Sequence, residues 1–595
     1  MSKIKKSKLL AYALAISGAS LLPGAVVSCA CTNSNKKNSN DFKEVIISKH
    51  SFKNYNPEYT IREKSNLSAY KIKDDKSKTV YIEIDEFLNA LDGLINLDSF
   101  SVEVNEKEKT KTYSSKTETG EILNTLTINW EKNTIHTTNT SFFYEILKPQ
   151  ELTDGDQFLE VNYESRNLDN EGVTFDLGKY DMDIAFNNKK VLVPFAVFNT
   201  LFLSQTFNNT YFNGLTFTNL EAGFDSWGVL EDEERERIRG NEEKRNGEIT
   251  VEERQANFNH LAFTMDNFYG LKHYKQMQSF ESYISKEDKE KLLSTNPDDF
   301  NEAYVNIFHK QLNELHTNLN SFSYHEQEWH RTIGERLVAP RDYGQYRIDF
   351  EKNERKLISA FEKKFNKKVS QFGPDDFIRY HGNTAFVTLL EFQDGTKEEI
   401  ESDEAWQYDT YFLMRHLMSE LKKKPEIKHV VLDLAINGGG SVYSMIRTLG
   451  FMTDKEILNR EFDILNRRAD LSKSKVDTDG DGNYDNDAYT QYNWNLLVGL
   501  NTFSAANQLA SIVKEMGIAK IIGKKTGGGM SAIMPISLMD GTTITISSPN
   551  NAVHGEDNRE IESGITPDIE LEYEDFYNDE KINEILDKAY PAATE

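Results

Sequence analysis

Between about residues 45 and 220 apolar and polar residues alternate over short runs, as in "TVYIEIDEF", "TLTINWE", "VTFDLGKYDMDIAF" and "KKVLVPFAVF". A period of two with β-branched and aromatic residues marks half-buried strands, so this region is expected to be a β-rich N-terminal domain. Two pieces within it, "KTVYIEIDEFLNALDGL" and "KKVLVPFAVFNTLFLSQ", share an order of strand, acidic or proline turn, and apolar helix. They read as a loose internal repeat of one βα unit. From about 225 to 365 the spacing becomes helical and strongly charged, with "LEDEERERIRGNEEKRNGEITVEERQANFNHLAF" and "DDFNEAYVNIFHKQLNELHTNL". Charge runs of this kind are solvated helix faces.

From about 380 to 575 the period switches back and forth. "TAFVTLLEF" and "KHVVLDLAI" read as buried strands, "YDTYFLMRHLMSELKKK" as a helix, and "WNLLVGLN", "AKIIG" and "TTITISS" as further strands. A helix over Ala505–Met516 should stop at Gly517, because glycine readily takes the left-handed conformation that ends helices. Alternating strands and helices imply an α/β layer. Residues 576–595 are expected to form a C-terminal helix or tail.

Length and charge narrow the picture. A chain of 595 residues exceeds one hydrophobic core and should hold two to four domains. Its net charge of −27 would repel a phosphate backbone, so nucleic acid is excluded as a partner. The N-terminus, "MSKIKKSKLLAYALAISGASLLPGAVVSC", has a basic start and an apolar stretch, and residues 1–28 read as a secretory signal. "VVSC" resembles a bacterial lipobox, which implies lipidation at Cys29 and a membrane-anchored protein facing the outside of the cell. An uncleaved anchor is the alternative. Only two cysteines exist, Cys29 and Cys31, so lipidation leaves no intramolecular disulfide. Residues 29–44 are polar and without period, as expected of a flexible tether.

The candidate chemistry lies at strand ends of the last region. "VVLDLAINGGGS" runs a buried strand into three glycines, which can turn backbone N–H groups toward a developing oxyanion or simply make a turn. Ser504, in "NTFSAANQLA", sits at a helix start, where it is either a nucleophile or a helix cap. "IIGKKTGGGM" is another strand closed by glycines, and "SGITPDIEL" follows downstream.

In that order the four motifs resemble the tail-specific or C-terminal processing serine peptidases, whose core is a ClpP/crotonase-like ββα fold. The likeness covers about residues 380–575. It implies Ser504 as nucleophile and an oxyanion hole from the amides of Ala505 and Gly439, with Gly440 beside it. The lysine that serves as base in the processing branch is missing, since Gly528 and Gly529 stand at its place; Lys524 and Lys525 lie on the far side of Thr526. The tricorn-like branch uses a histidine from a pattern like "LxDxHT", and "QLNELHTNL" supplies His316 with Glu314 at the aspartate position. His309, His325, His330, His381 and His554 are rival bases. A histidine base needs an orienting acceptor. Glu562 is the first choice and Glu560 the second, while Asp568 is expected to make a turn contact.

The pattern departs from the family at Asn507, where glutamate is common, and at "DLAINGGG", which lacks the usual arginine. No peptide-carboxylate loop appears between 325 and 380, so a PDZ domain is not expected. The implied function is a surface-anchored serine endopeptidase acting on proteins or peptides outside the cell and needing no cofactor for catalysis. The alternative is an inactive surface lipoprotein or adhesin that uses the fold for binding. Finally, "DTDGDGNYDND" spaces Asp477, Asp479, Asp481, Asn483 and Asp485 as in a calcium loop, with Gly482 at the sharp turn and Ala488 where a bidentate glutamate would stand. The loop is read as a structural Ca²⁺ site that orders this insertion, with a plain acidic surface loop as the alternative.

Overall fold

A computed structural model describes residues 44–591 apart from 57–58, 149–157, 169–170, 222–231, 327–341 and 485–488. The signal segment, the tether, Cys29 and Asp485 lie outside the described residues. No helix among the described residues is long and apolar enough to cross a membrane.

The α/β expectation holds for the last region. A six-stranded sheet runs in the order Ile378–His381, Thr384–Thr388, His429–Asp433, Asn493–Val498, Lys520–Gly523 and Ile569–Glu570. The first pair is antiparallel and every later pair parallel. The alternating side chains of these strands enter two different cores. Ala385, Val387, Val430, Leu432, Leu496 and Val498 face helices Thr410–Leu421 and Ala505–Met516. Phe386, Val431, Leu497 and Ile522 face the other way, onto Leu357 and Phe361 of helix Gln345–Phe365 and Ile582 and Leu586 of helix Asp579–Ala589. A sheet covered on both faces explains why His429–Asp433 is buried at all five positions. The C-terminal helix is therefore part of the core layer rather than an appendage.

Local chemistry sets the helix ends. Asp409 caps Thr410–Leu421 through the N–H of Tyr411. Ala505–Met516 ends at Gly517 with φ 65°, as the sequence predicts.

A second sheet departs from the expected alternation. Thr543–His554, which contains the "TTITISS" strand, belongs to it and not to the parallel sheet. Its order is Asn318–Ser321, Thr543–His554, Ile457–Asp463, Arg468–Val476 and Leu159–Asn167, and Ser531–Ser537 also pairs with Thr543–His554. The β-rich first part thus reaches into the peptidase-like part, because Leu159–Asn167 lies antiparallel along all of Arg468–Val476. The charged segment expected to be helical from 225 to 365 contributes the edge strand Asn318–Ser321 between its helices. Its long helix Val251–Phe268 starts at a Thr250–Glu253 capping box. Buried Arg254 of this helix pairs with Asp540 at 2.7 Å, tying it to the turn that precedes Thr543–His554.

The N-terminal strands form one seven-stranded and one five-stranded sheet. The two suspected repeat units are adjacent in the former. Strand Tyr81–Glu83 leads into helix Ile84–Ala90, and Lys190–Pro194 leads into Phe195–Phe202. The two strands pair antiparallel, Leu192 opposite Glu83 and Pro194 opposite Tyr81, and the helices meet through Phe87 and Phe198. Much of "YIEIDEF" is helix rather than strand, since Ile84 already begins the turn capped by Glu83.

Candidate active site

Ser504 sits where the parallel sheet gives way to helix Ala505–Met516. Its backbone has φ 54° and ψ −124°, a conformation that costs a non-glycine residue on the order of 1–3 kcal/mol. The neighbours hold it there: its N–H donates to Gly528 O at 2.9 Å, and the Phe503 N–H donates to Asn437 O at 3.1 Å. A helix cap would turn its oxygen back to the first-turn amides, but Ser504 makes no such bond. Its Oγ lies 3.0 Å from Nε2 of His316 instead, a contact between residues 188 positions apart.

His316 is delivered by the second sheet. The strand that follows it, Asn318–Ser321, pairs with Thr543–His554, and Oγ1 of Thr317 accepts from the N–H of Ser547 at 3.1 Å. Glu314 fixes the turn before the histidine. One of its oxygens accepts from the His316 N–H at 2.6 Å and the other from Ser547 Oγ at 3.0 Å. The ring packs edge-on against Phe503, centroids 4.8 Å apart, and Phe503 rests in turn on Phe350 of helix Gln345–Phe365. Desolvation holds the imidazole below its ordinary pKa, while the Glu314 charge opposes the shift. The ring is therefore neutral near pH 7, with Nε2 free to accept the serine proton.

Glu562 has a different task from the one its position suggests. It makes neither a hydrogen bond nor an ion pair with His316; its Oε2 accepts from the N–H groups of Gly529 at 3.1 Å and Met530 at 2.9 Å, which pins the glycine loop under Ser504. Glu560 is further out, 3.6 Å from Nδ1 of exposed His273. Burial and then the charge of Glu314 push the Glu562 carboxyl up to about 7. The folded state therefore binds a proton that the unfolded chain has released, and stability falls as pH rises from about 4.5 to about 7. Glu562→Gln, which keeps an acceptor for both amides, should melt with wild type near pH 5 and above it near pH 8. Equal melting midpoints at both pH values would refute this account.

The glycine loops meet Ser504 from two sides. A Cβ on Gly439, φ 110°, would stand 2.7 Å from Cβ of Ser504, so only glycine fits there. The Gly439 N–H donates to Oδ1 of Asn437 at 2.8 Å, whereas no described residue accepts from the N–H of Gly440 or of Ala505. Gly440 runs alongside Phe392. Asn507, in the place of a glutamate, links the nucleophile helix to both downstream motifs. It accepts from Thr526 Oγ1 at 2.6 Å and donates to Ile561 O at 3.2 Å. Asp568 reaches across to strand Lys520–Gly523, where its Oδ2 accepts from the Ile521 N–H at 2.9 Å.

The rivals for the base lie elsewhere. Lys524 pairs with Glu572 at 2.6 Å and Lys525 is exposed. His309 is buried edge-on to Tyr343, ring centroids 5.9 Å apart, with its pKa pushed down to about 4 by desolvation. His325 bonds to Lys244 O, His554 to Ser511 Oγ, and His381 is exposed; His330 lies outside the described residues. Glu314 and Phe503 carry weight that sequence reading did not assign to them. The glutamate two places before "HT" was the available sign of the first; nothing local marked the second.

Of the calcium-loop residues, Asp477, Asp479 and Asp481 bring carboxylate oxygens within 4.8 Å of one another. Asp477 also accepts from the Gly480 and Gly482 N–H groups, at 2.6 and 2.8 Å, while Asn483 folds back on Asp481.

Comparison with known proteins gives this arrangement its class. Residues 383–571 match the family model described as Peptidase family S41. No curated protein sequence matches the chain. Among solved structures it is similar to the photosystem II D1 C-terminal processing protease, at 22% identity over 32% of this chain and 43% of that one, with a TM-score of 0.25. It is also similar to mature CPAF, at 15% identity over 35% and 50% with a TM-score of 0.25, and to the tricorn protease, at 18% over 40% and 19% with a TM-score of 0.22. The chain thus spans less than half the length of the D1 processing protease.

Proposed function

We propose that this chain is a serine endopeptidase that works through an acyl-enzyme. The observation that carries the reading is the 3.0 Å contact between Ser504 Oγ and His316 Nε2, made by a serine held in a strained turn at a helix N-terminus. His316 takes the hydroxyl proton as Oγ attacks the peptide carbonyl carbon. The oxyanion that forms is met by the Ala505 N–H and by the Gly438–Gly440 loop, where it competes with Asn437 for the Gly439 N–H. His316 then passes its proton to the leaving amine as the C–N bond breaks. Water, deprotonated by the same ring, releases the acyl group and restores Ser504. Glu314 supplies negative charge near the imidazolium without bonding to its ring.

An inert binding scaffold would have no use for an uncapped, strained serine facing a neutral imidazole. Incubation of the intact chain with a fluorophosphonate tests the reading: covalent labelling should map to Ser504, and a folded protein that takes no label refutes it. The substrates on this reading are proteins or peptides. The motif ending in Cys29 supports secretion and lipid anchoring on the outer face of the membrane, which metabolic labelling with an alkynyl fatty acid would detect and Cys29→Ser would abolish. Calcium held by Asp477, Asp479, Asp481, Asn483 and Asp485 would order the insertion without entering the chemistry. Excess Ca²⁺ should then raise the melting midpoint over that in chelator, and identical curves would remove the ion from the account.

A further inference from the structure

A cavity of about 140 Å³ is lined by residues of the elements that follow the two glycine loops, by strands Ile457–Asp463 and Arg468–Val476, and by early side chains such as Tyr144 and Tyr163. Its walls grow out of the same loops that hold Ser504. On one side are Val442, Tyr443 and Ile446, on the helix that begins directly after the Gly438–Gly440 turn; on the other is Met534, on the strand that follows the glycine loop. Its floor contains Asn459 and Glu461.

The floor is wired to the catalytic helix. Gln508, one helical turn beyond Ser504, accepts no role in the chemistry but donates from Nε2 to Asn459 Oδ1 at 2.6 Å. Asn459 Nδ2 lies 3.3 Å from Oε1 of Glu461, and Asn550 Nδ2 lies 3.0 Å from its Oε2. Both partners of this carboxylate are neutral amides. Arg468, which also lines the cavity, pairs with Asp470, with Nε 2.8 Å from Oδ2. Asp463 is bound to the Leu465 N–H at 2.8 Å and adds negative charge. Burial raises the Glu461 pKa, and the charge of Arg468 opposes the shift. The cavity is close to the roughly 150 Å³ that admits one benzene-sized group, so it suits a single side chain with an aliphatic stem and a charged end.

We propose that this cavity receives a lysine or arginine side chain of the substrate next to the scissile bond, with Glu461 as its counter-charge. The proposal rests on the peptidase reading, deepens it, and can fail independently of it. Alanine-rich fluorogenic peptides with one central lysine, norleucine or glutamate test it on the full chain. Wild type should prefer lysine over norleucine at least about tenfold in kcat/KM, and glutamate least. Glu461→Gln should bring the lysine-to-norleucine ratio close to one. A wild-type ratio near one overturns the proposal, whatever the variant does. Calorimetric titration of Ser504→Ala with the same peptides separates the two readings, since it needs no turnover. Tighter binding of the lysine peptide there supports the pocket even if the fluorophosphonate result had ended the peptidase reading, and equal binding of all three removes the pocket even if hydrolysis stands.

Discussion

His316→Ala should slow fluorophosphonate labelling of Ser504 and peptide hydrolysis by about 10⁴-fold or more, and Ser504→Ala should abolish labelling outright. The size follows from how few substitutes exist. Within the described residues the serine hydroxyl has one hydrogen-bonding partner, Nε2 of His316. Lys524, the nearest sequence alternative, is held by Glu572, which also raises its pKa. Lys524→Ala should therefore leave labelling within a few-fold of wild type. Serine and histidine act as one unit, so for hydrolysis the double variant should be no slower than the worse single one. Rapid labelling of His316→Ala would show that another group deprotonates Ser504, and the proposed mechanism would fall with it.

Gly528→Ala carries the largest expected structural effect. Its φ is 86°, and an added Cβ would stand 1.8 Å from the carbonyl oxygen of Glu562. The same residue accepts the Ser504 N–H that holds the strained turn. Neither backbone can yield alone, because Glu562 is tied through its side chain to the next two amides of the loop. The substitution should cost about 3 kcal/mol or more, seen as a lower melting midpoint, and should cut Ser504 labelling by about 100-fold. A variant that melts and labels like wild type would mean that the loop does not support the nucleophile.

The sequence was informative where function and local pattern coincide. The helix from Ala505 to Met516 and its glycine stop follow from period and end chemistry alone. The pairing of Ser504 with His316 could be anticipated because "ELHT" and "NTFSAANQLA" each keep a short pattern. What stayed hidden depends on long-range pairing. Nothing in "TTITISS" says which sheet it joins, since one period of two serves both, and its partner Asn318–Ser321 lies more than two hundred positions earlier. Glu562 was misread for a related reason. Nearness in sequence to the "GITPD" turn suggests a path to the histidine, but its carboxylate is drawn to two amides of a loop that arrives from residues 529 and 530. The repeat was visible as two similar strings, and its outcome, two strands lying side by side in opposite directions, was not.

The bond between Leu159–Asn167 and Arg468–Val476 bears on how such a molecule can be inherited or trimmed. The family match begins at residue 383, yet a fragment cut there would strip Asn318–Ser321 and Leu159–Asn167, the two end strands, from the second sheet and would leave the histidine behind. Recombination at that boundary would transfer Ser504 without the histidine that bonds to it. Leu159–Asn167 and the segment that carries His316 pack with the serine's fold as structural kin rather than as a detachable attachment.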